Sequence, residues 1–351
     1  MNHSADETRA SLANNLRYFI KWSLIALLIG GTGGLIGSLF SMGVSFATSF
    51  RMNHPNMLFF LPVSGILIVW LYHTFHEEGN RGTNMVIDAI SSTEKVTLAT
   101  GPLIFVSTVL THIAGGSSGR EGAALQLGGS LGNLFGNAIH LDEKDKKIAI
   151  MCGMSAVFSA LFGTPVAAAI FPLEVISIGV LYYAALVPCI FSSFIGVGIA
   201  RYLGIAGEHF TVLSIPAISV SSVGWIIFLS ALCAGVSIVF CLMLHGAEHT
   251  YRKIFPNPYV RILAASAIFI LLTLLIGTRD YCGSSMPLIE RSMEGEIGYE
   301  AFFLKMLFTA IALGAGFKGG EIVPTLCVGA AFGCAFGQIT GFAPSLCAAC
   351  S

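Results

Sequence analysis

Ten apolar stretches succeed one another along the chain, near residues 22–50, 56–73, 100–114, 123–139, 148–160, 165–200, 223–246, 260–277, 301–316 and 322–343, and several are too short to cross a bilayer. A spanning helix needs roughly 20 apolar residues. Pieces of roughly 12–15 residues, broken by Gly and Pro, predict half-membrane or re-entrant helices whose ends meet inside the protein, because lipid cannot satisfy an open backbone. Helices broken at membrane depth mark transporters and channels. Composition identifies the medium: 55% of the residues are hydrophobic, 11% are charged and the mean hydropathy is +0.80. Soluble domains carry roughly 25% charged residues, so most of this surface must face lipid. The 40 glycines fit close helix packing and bent backbone inside a membrane.

Eighteen basic and nineteen acidic side chains give a net charge of −1, with no basic tract. A nucleic-acid partner has no electrostatic footprint here, and the composition argues against a soluble enzyme. The nine cysteines lie almost all in apolar stretches and read as small packing residues. Cys347-Ala-Ala-Cys350 has redox spacing but sits at the end of the chain. Residues 1–20 read as a cytoplasmic segment: Arg17 and Lys21 precede the apolar run from Trp22, and no small-residue cleavage site follows it. A retained first membrane helix is expected.

An internal repeat is legible in the letters. Gly82-Thr83-Asn84-Met85 matches Gly283-Ser284-Ser285-Met286 at a spacing of 201 residues (283 − 82), and Gly119-Arg120-Glu121 matches Gly319-Gly320-Glu321 at 200 (319 − 119). The expected division is a first membrane repeat over 21–210 and a second over 211–351. Duplicated membrane halves commonly hold their substrate at the interface, where broken helices point their termini inward.

The densest motif runs from Gly115 through Gly129 and contains Gly119-Arg120-Glu121-Gly122. A glycine-rich turn leaves N–H groups unpaired, and the helix that it opens adds roughly half a positive charge at its N-terminus. Such a site attracts an anion without a lysine. Glu121, in the first turn, is a tethered anion that fills the site when deprotonated and vacates it when protonated, which makes it gate and proton carrier together. A capping glutamate paired with Arg120 is the plainer reading, but an ionisable pair at membrane depth is costly and functional by default. Gly319-Gly320-Glu321-Ile322-Val323-Pro324 repeats the arrangement, with Lys318 as a possible neutralising partner for Glu321. Thr83 and Asn84 offer a hydroxyl and an amide at a third donor-rich turn.

These residues resemble the CLC chloride channels and proton-coupled anion exchangers. Gly119-Arg120-Glu121-Gly122, followed by Gln126 and Gly128-Gly129, is similar to the family signature, and Gly153-Met154-Ser155-Ala156 and Gly163-Thr164-Pro165 through Glu174 are similar to the helices after it. Chloride members usually carry Gly-Ser-Gly-Ile-Pro and Gly-Ile-Phe-x-Pro turns around the central anion. This chain lacks the first proline and places Glu321 where the second turn is normally apolar. Both changes resemble the fluoride/proton antiporter branch, as do Gly277-Thr278-Arg279-Asp280-Tyr281 and Gly314 through Glu321. Thr83 and Val323 depart from that branch, the first keeping a hydroxyl as chloride members do and the second replacing an expected threonine.

The resemblance implies an all-α polytopic membrane protein of a bacterial inner membrane, built as an inverted repeat of tilted and half-membrane helices. It implies proton-coupled fluoride export by a homodimer, with inorganic anions and protons as cargo, the bilayer as surroundings, no enzymatic activity, and no cofactor or metal. Glu121 would be the gating and proton-carrying glutamate, and Thr83, Asn84, Gly119, Arg120, Gly122, Gly320, Glu321, Ile322 and Val323 would surround the anion. A chloride channel or chloride/proton exchanger is the alternative that Thr83 supports. CLC proteins continue for several more helices, one bringing a tyrosine hydroxyl to the anion, so the end at Ser351 suggests an incomplete second half, with an inactive membrane scaffold as the second alternative.

Overall fold

Local chemistry starts and stops the helices. Asp142 accepts the Asp145 N–H at 2.8 Å ahead of one helix, and that helix stops at Gly163, whose φ of 72° suits a residue without a side chain. Ser219 and Ser222 cap one another at the start of a second, and Asn257 accepts the Tyr259 N–H at 2.9 Å just before Pro258 opens a third. The computed structural model describes residues 2–79, 82–91, 97–175, 182–207, 209–213 and 215–351. Among them are fourteen α-helices and no strand: α1 (Asn2–Asn53), α2 (Leu61–Thr74), α3 (Thr83–Ser91), α4 (Thr100–Ile113), α5 (Glu121–Ala138), α6 (Glu143–Phe162), α7 (Pro165–Val175), α8 (Leu186–Tyr202), α9 (Val220–Ile254), α10 (Pro258–Ile276), α11 (Met286–Glu294), α12 (Ala301–Ala315), α13 (Ile322–Thr340) and α14 (Pro344–Cys350). The all-α expectation holds. The middle of the expected 165–200 stretch, residues 176–181, lies outside the described residues.

Among the described residues, six helical segments are long and apolar enough to cross a membrane: Asn14–Asn53, Pro55–Thr74, Tyr183–Tyr202, Val220–Ile254, Pro258–Ile276 and Ile322–Thr340. Helices α4, α7 and α12, with 14, 11 and 15 residues, rise only about 16–23 Å. They fall short of a hydrocarbon core of about 30 Å, as the short stretches 100–114 and 301–316 predict for α4 and α12, whereas α7 lies within the longer stretch 165–200.

The repeat is written into the backbone. Left-handed φ values recur at His76 and Gly277, Gly82 and Gly283, Gly115 and Gly316, and His140 and Gly341. Each pair is 201 residues apart (277 − 76, 283 − 82, 316 − 115, 341 − 140). Helix starts keep the same interval, from Thr100 to Ala301, Glu121 to Ile322 and Glu143 to Pro344. Turns that need φ > 0 are costly for most residues, so four matched ones record a duplicated chain path.

Packing groups the segments into two compact units, one of Met1–Met42, Arg81–Pro102 and Ala124–Glu208, the other of Gly43–Asn80, Leu103–Ala123 and His209–Ser351. In the first, α6 is buried along most of its length. A methyl on Gly153 would lie 2.1 Å from the Gly128 carbonyl oxygen, and one on Gly128 2.3 Å from that of Gly153. Helices α5 and α6 therefore touch backbone to backbone, the close approach that small residues permit in membranes. In the second unit a methyl on Gly314 of α12 would sit 2.9 Å from Ala247 of α9. Elsewhere on α9, Ile238 and Leu242 are 62% and 68% exposed, a face that suits lipid better than water. Six of the nine free cysteines are buried, while Cys350 is exposed.

Candidate functional site

Two glycines of the second unit make the centre of the site. The Gly119 N–H donates to the Gly320 carbonyl at 2.6 Å and the Gly320 N–H returns to Gly119 at 2.8 Å, an isolated antiparallel bridge. It sets the start of α5, at Glu121, beside the start of α13, at Ile322. Helix N-termini carry unpaired N–H groups and the positive end of the helix dipole. Their convergence makes a cradle for negative charge.

The Glu121 side chain fills that cradle. It is fully buried; Oε1 accepts the Val323 N–H at 2.5 Å and Oε2 accepts the Arg120 N–H at 2.6 Å. Charge-assisted bonds of this kind are short and strong. Neighbouring glycines make the room. A methyl on Gly119 would lie 1.9 Å from Glu121 Oε1, and one on Gly320 would lie 2.6 Å from the Gly122 nitrogen and 2.9 Å from Oε1. Ser118 adds a buried hydroxyl with no hydrogen-bond partner among the described residues, close enough to Gly319 that a methyl there would approach it to 2.4 Å.

The structure thus gathers Gly119, Arg120, Glu121, Gly122, Gly320, Ile322 and Val323 in one unit. Val323 is buried and contributes its N–H, while Arg120 and Ile322 are half-buried. Glu321 belongs to the same turn, but its side chain is exposed, and its carbonyl accepts the Thr325 N–H and hydroxyl at 2.9 and 2.8 Å. Lys318 does not pair with it; its ammonium lies over the Tyr72 ring, 4.3 Å from the centroid. Thr83 and Asn84 open α3 in the first unit, after the left-handed Gly82, with Thr83 half-buried and Asn84 exposed.

The bridge corrects the register of the repeat. Letter matching at 200 sets Glu121 against Glu321, whereas Gly119 pairs with Gly320 at 201 (320 − 119), like the other matched turns. Ile322 therefore stands where Glu121 stands in the first half, and Glu321 answers to Arg120. The two glycines in succession at 319 and 320 allow either alignment of the letters. Backbone pairing chooses one.

Lys305 of α12 was not singled out by the sequence motifs, yet it is fully buried and donates to Ser117 Oγ at 2.7 Å and to the Gly283 carbonyl at 2.9 Å. Its signal in the sequence is a lone lysine inside the apolar run 301–316.

Several known proteins resemble this chain. Residues 64–350 match the family described as voltage gated chloride channel. The chain is 30% identical over 325 residues to a chloride/fluoride channel protein of Pseudomonas syringae pv. tomato, covering 91% of this chain and 72% of that protein. It is 24% identical over 339 residues to an H(+)/Cl(-) exchange transporter of Vibrio cholerae, covering 90% and 72%. Among solved structures, that of a CLC-type fluoride/proton antiporter matches with a TM-score of 0.88 at 30% identity, over 94% of this chain and 84% of that one. A slow cyanobacterial Cl-/H+ antiporter matches with a TM-score of 0.76 at 19% identity, over 93% and 83%, a likeness of fold alone.

Proposed function

The chain belongs to the voltage-gated chloride channel family, and within it we propose that this multi-pass membrane protein exchanges fluoride for protons. The observation that carries the reading is the Glu121 carboxylate held by the N–H groups of Arg120 and Val323, a tethered anion in a site made for a free one. The relatives named for fluoride, both 30% identical to this chain, support the choice of anion.

The chemistry follows from competition. While Glu121 is ionised it fills the cradle and excludes a free anion. Protonation removes its charge, the N–H groups lose their charge-assisted partner, and an incoming anion takes the place. Proton and anion then occupy the site by turns, which couples their movements without any bond being made or broken in a substrate. Transport of this kind needs neither cofactor nor metal, and no enzymatic step. Gly119, Gly122, Gly320, Ile322 and Val323 frame the cradle, Arg120 adds positive charge beside it, and Glu321 stands in the same turn as the start of α13. The bilayer surrounds the exposed apolar faces, and the working form is a homodimer.

Reconstitution in lipid vesicles tests the reading. Fluoride released down its gradient should draw protons inward, followed by a fluoride electrode and external pH together. Chloride moving as fast as fluoride would favour the chloride/proton reading, which the hydroxyl of Thr83 and the Vibrio relative support. An absence of any anion flux would leave the inactive scaffold.

A further inference from the structure

Lys305 is a fully buried lysine, and a buried ammonium persists only when it is paired or hydrogen-bonded. Among the described residues no carboxylate lies within salt-bridge distance of it. Its donors reach Ser117 Oγ at 2.7 Å, the Gly283 carbonyl at 2.9 Å and, at 3.5 Å, the Tyr281 carbonyl. Ser117 Oγ lies 2.9 Å from Thr309 Oγ1, and Thr309 donates to the Lys305 carbonyl at 2.9 Å. One chain of donors thus runs from the ammonium through two hydroxyls and back to its own helix.

The groups that it holds are turns. Ser117 stands two residues before the Gly119 bridge and four before Glu121. Gly283 opens the matched turn of the second repeat, and its N–H also donates to the Gly115 carbonyl at 3.1 Å. The ammonium therefore clamps the glycine-rich turn ahead of α5 onto the turn ahead of α11. The duplication offers no equivalent: 201 residues earlier the position is Ile104 (305 − 201), aliphatic and 1% exposed. The Glu121 carboxylate lies within electrostatic reach of the ammonium. A positive charge with no acid beside it raises the affinity of the nearby cradle for any anion.

We infer that Lys305 is a positioning residue of the anion site, clamping the Gly115–Gly119 turn that leads to Glu121 and lending the cradle its positive charge. The inference rests on the anion-transport reading above. At an effective dielectric near 20, a unit charge changes the affinity of an anion by about tenfold or more at any separation up to about 10 Å.

Fluoride flux in vesicles, measured against fluoride concentration, tests it with the full chain. Lys305→Met should raise the half-saturating concentration by about tenfold while the maximal rate changes by less than about threefold. Ser117→Ala, a smaller change at the same clamp, should move half-saturation the same way and serves if the methionine variant fails to fold. Unchanged half-saturation in a folded variant, or a lost maximal rate with half-saturation intact, overturns the role. If the unsubstituted protein carries no anion, the transport reading itself falls, and this inference with it.

Discussion

Gly119→Ala probes the cradle through the space that it leaves. The added methyl would lie 1.9 Å from Glu121 Oε1, 2.5 Å from Oε2 and 2.6 Å from Cδ. The three nearest atoms all belong to the Glu121 side chain, so the carboxylate gives way rather than the backbone, and Gly119 does not need the left-handed region. Eviction removes the bonds from the Val323 and Arg120 N–H groups. Hydrogen bonds to charged groups contribute about 1.5–3 kcal/mol each, so the state with Glu121 in the cradle loses about 3–6 kcal/mol, or at least a hundredfold in population. Proton movement driven by a fluoride gradient should fall by a similar factor. The folded protein should elute unchanged from a sizing column in detergent. Wild-type proton coupling in the alanine variant would refute the assignment of the cradle as the working position of Glu121.

Glu121→Gln should abolish proton coupling, since the amide can take up no proton and turns a donor toward one backbone N–H; proton movement at the native rate in vesicles would count against the gating role. Asn84→Ala should weaken fluoride transport more than chloride leakage, because a small, strongly hydrated anion needs more donors to replace its water, and equal losses would remove Asn84 from the site. Glu321→Ala should depress fluoride flux steeply and leave chloride flux low, with Glu321→Gln keeping part of the activity through its amide donor. Intact fluoride flux in the Glu321→Ala variant would shift the balance to the chloride reading.

Much of the architecture was legible before any coordinates. Apolar runs of the wrong length for a span announced half-membrane helices, and α4 and α12 are such pieces. Glycine-rich turns announced helix starts with open N–H groups, because the lack of a side chain is a local property that the letters carry. Glu121 was readable for the same reason, as an acid in the first turn of such a helix. What the letters could not carry is which distant segment lies against which. The register of the repeat moved by one residue once Gly119 paired with Gly320, since two adjacent glycines look alike until backbone hydrogen bonds distinguish them. Exposure divided Glu121 from Glu321 although their motifs read almost alike. Burial depends on neighbours drawn from remote parts of the chain, and so does the clamp at Lys305, whose partners Ser117 and Gly283 stand 188 and 22 residues away. Local conformational cost is a property of sequence; the pairing of remote backbone and the burial of charge belong to the tertiary structure.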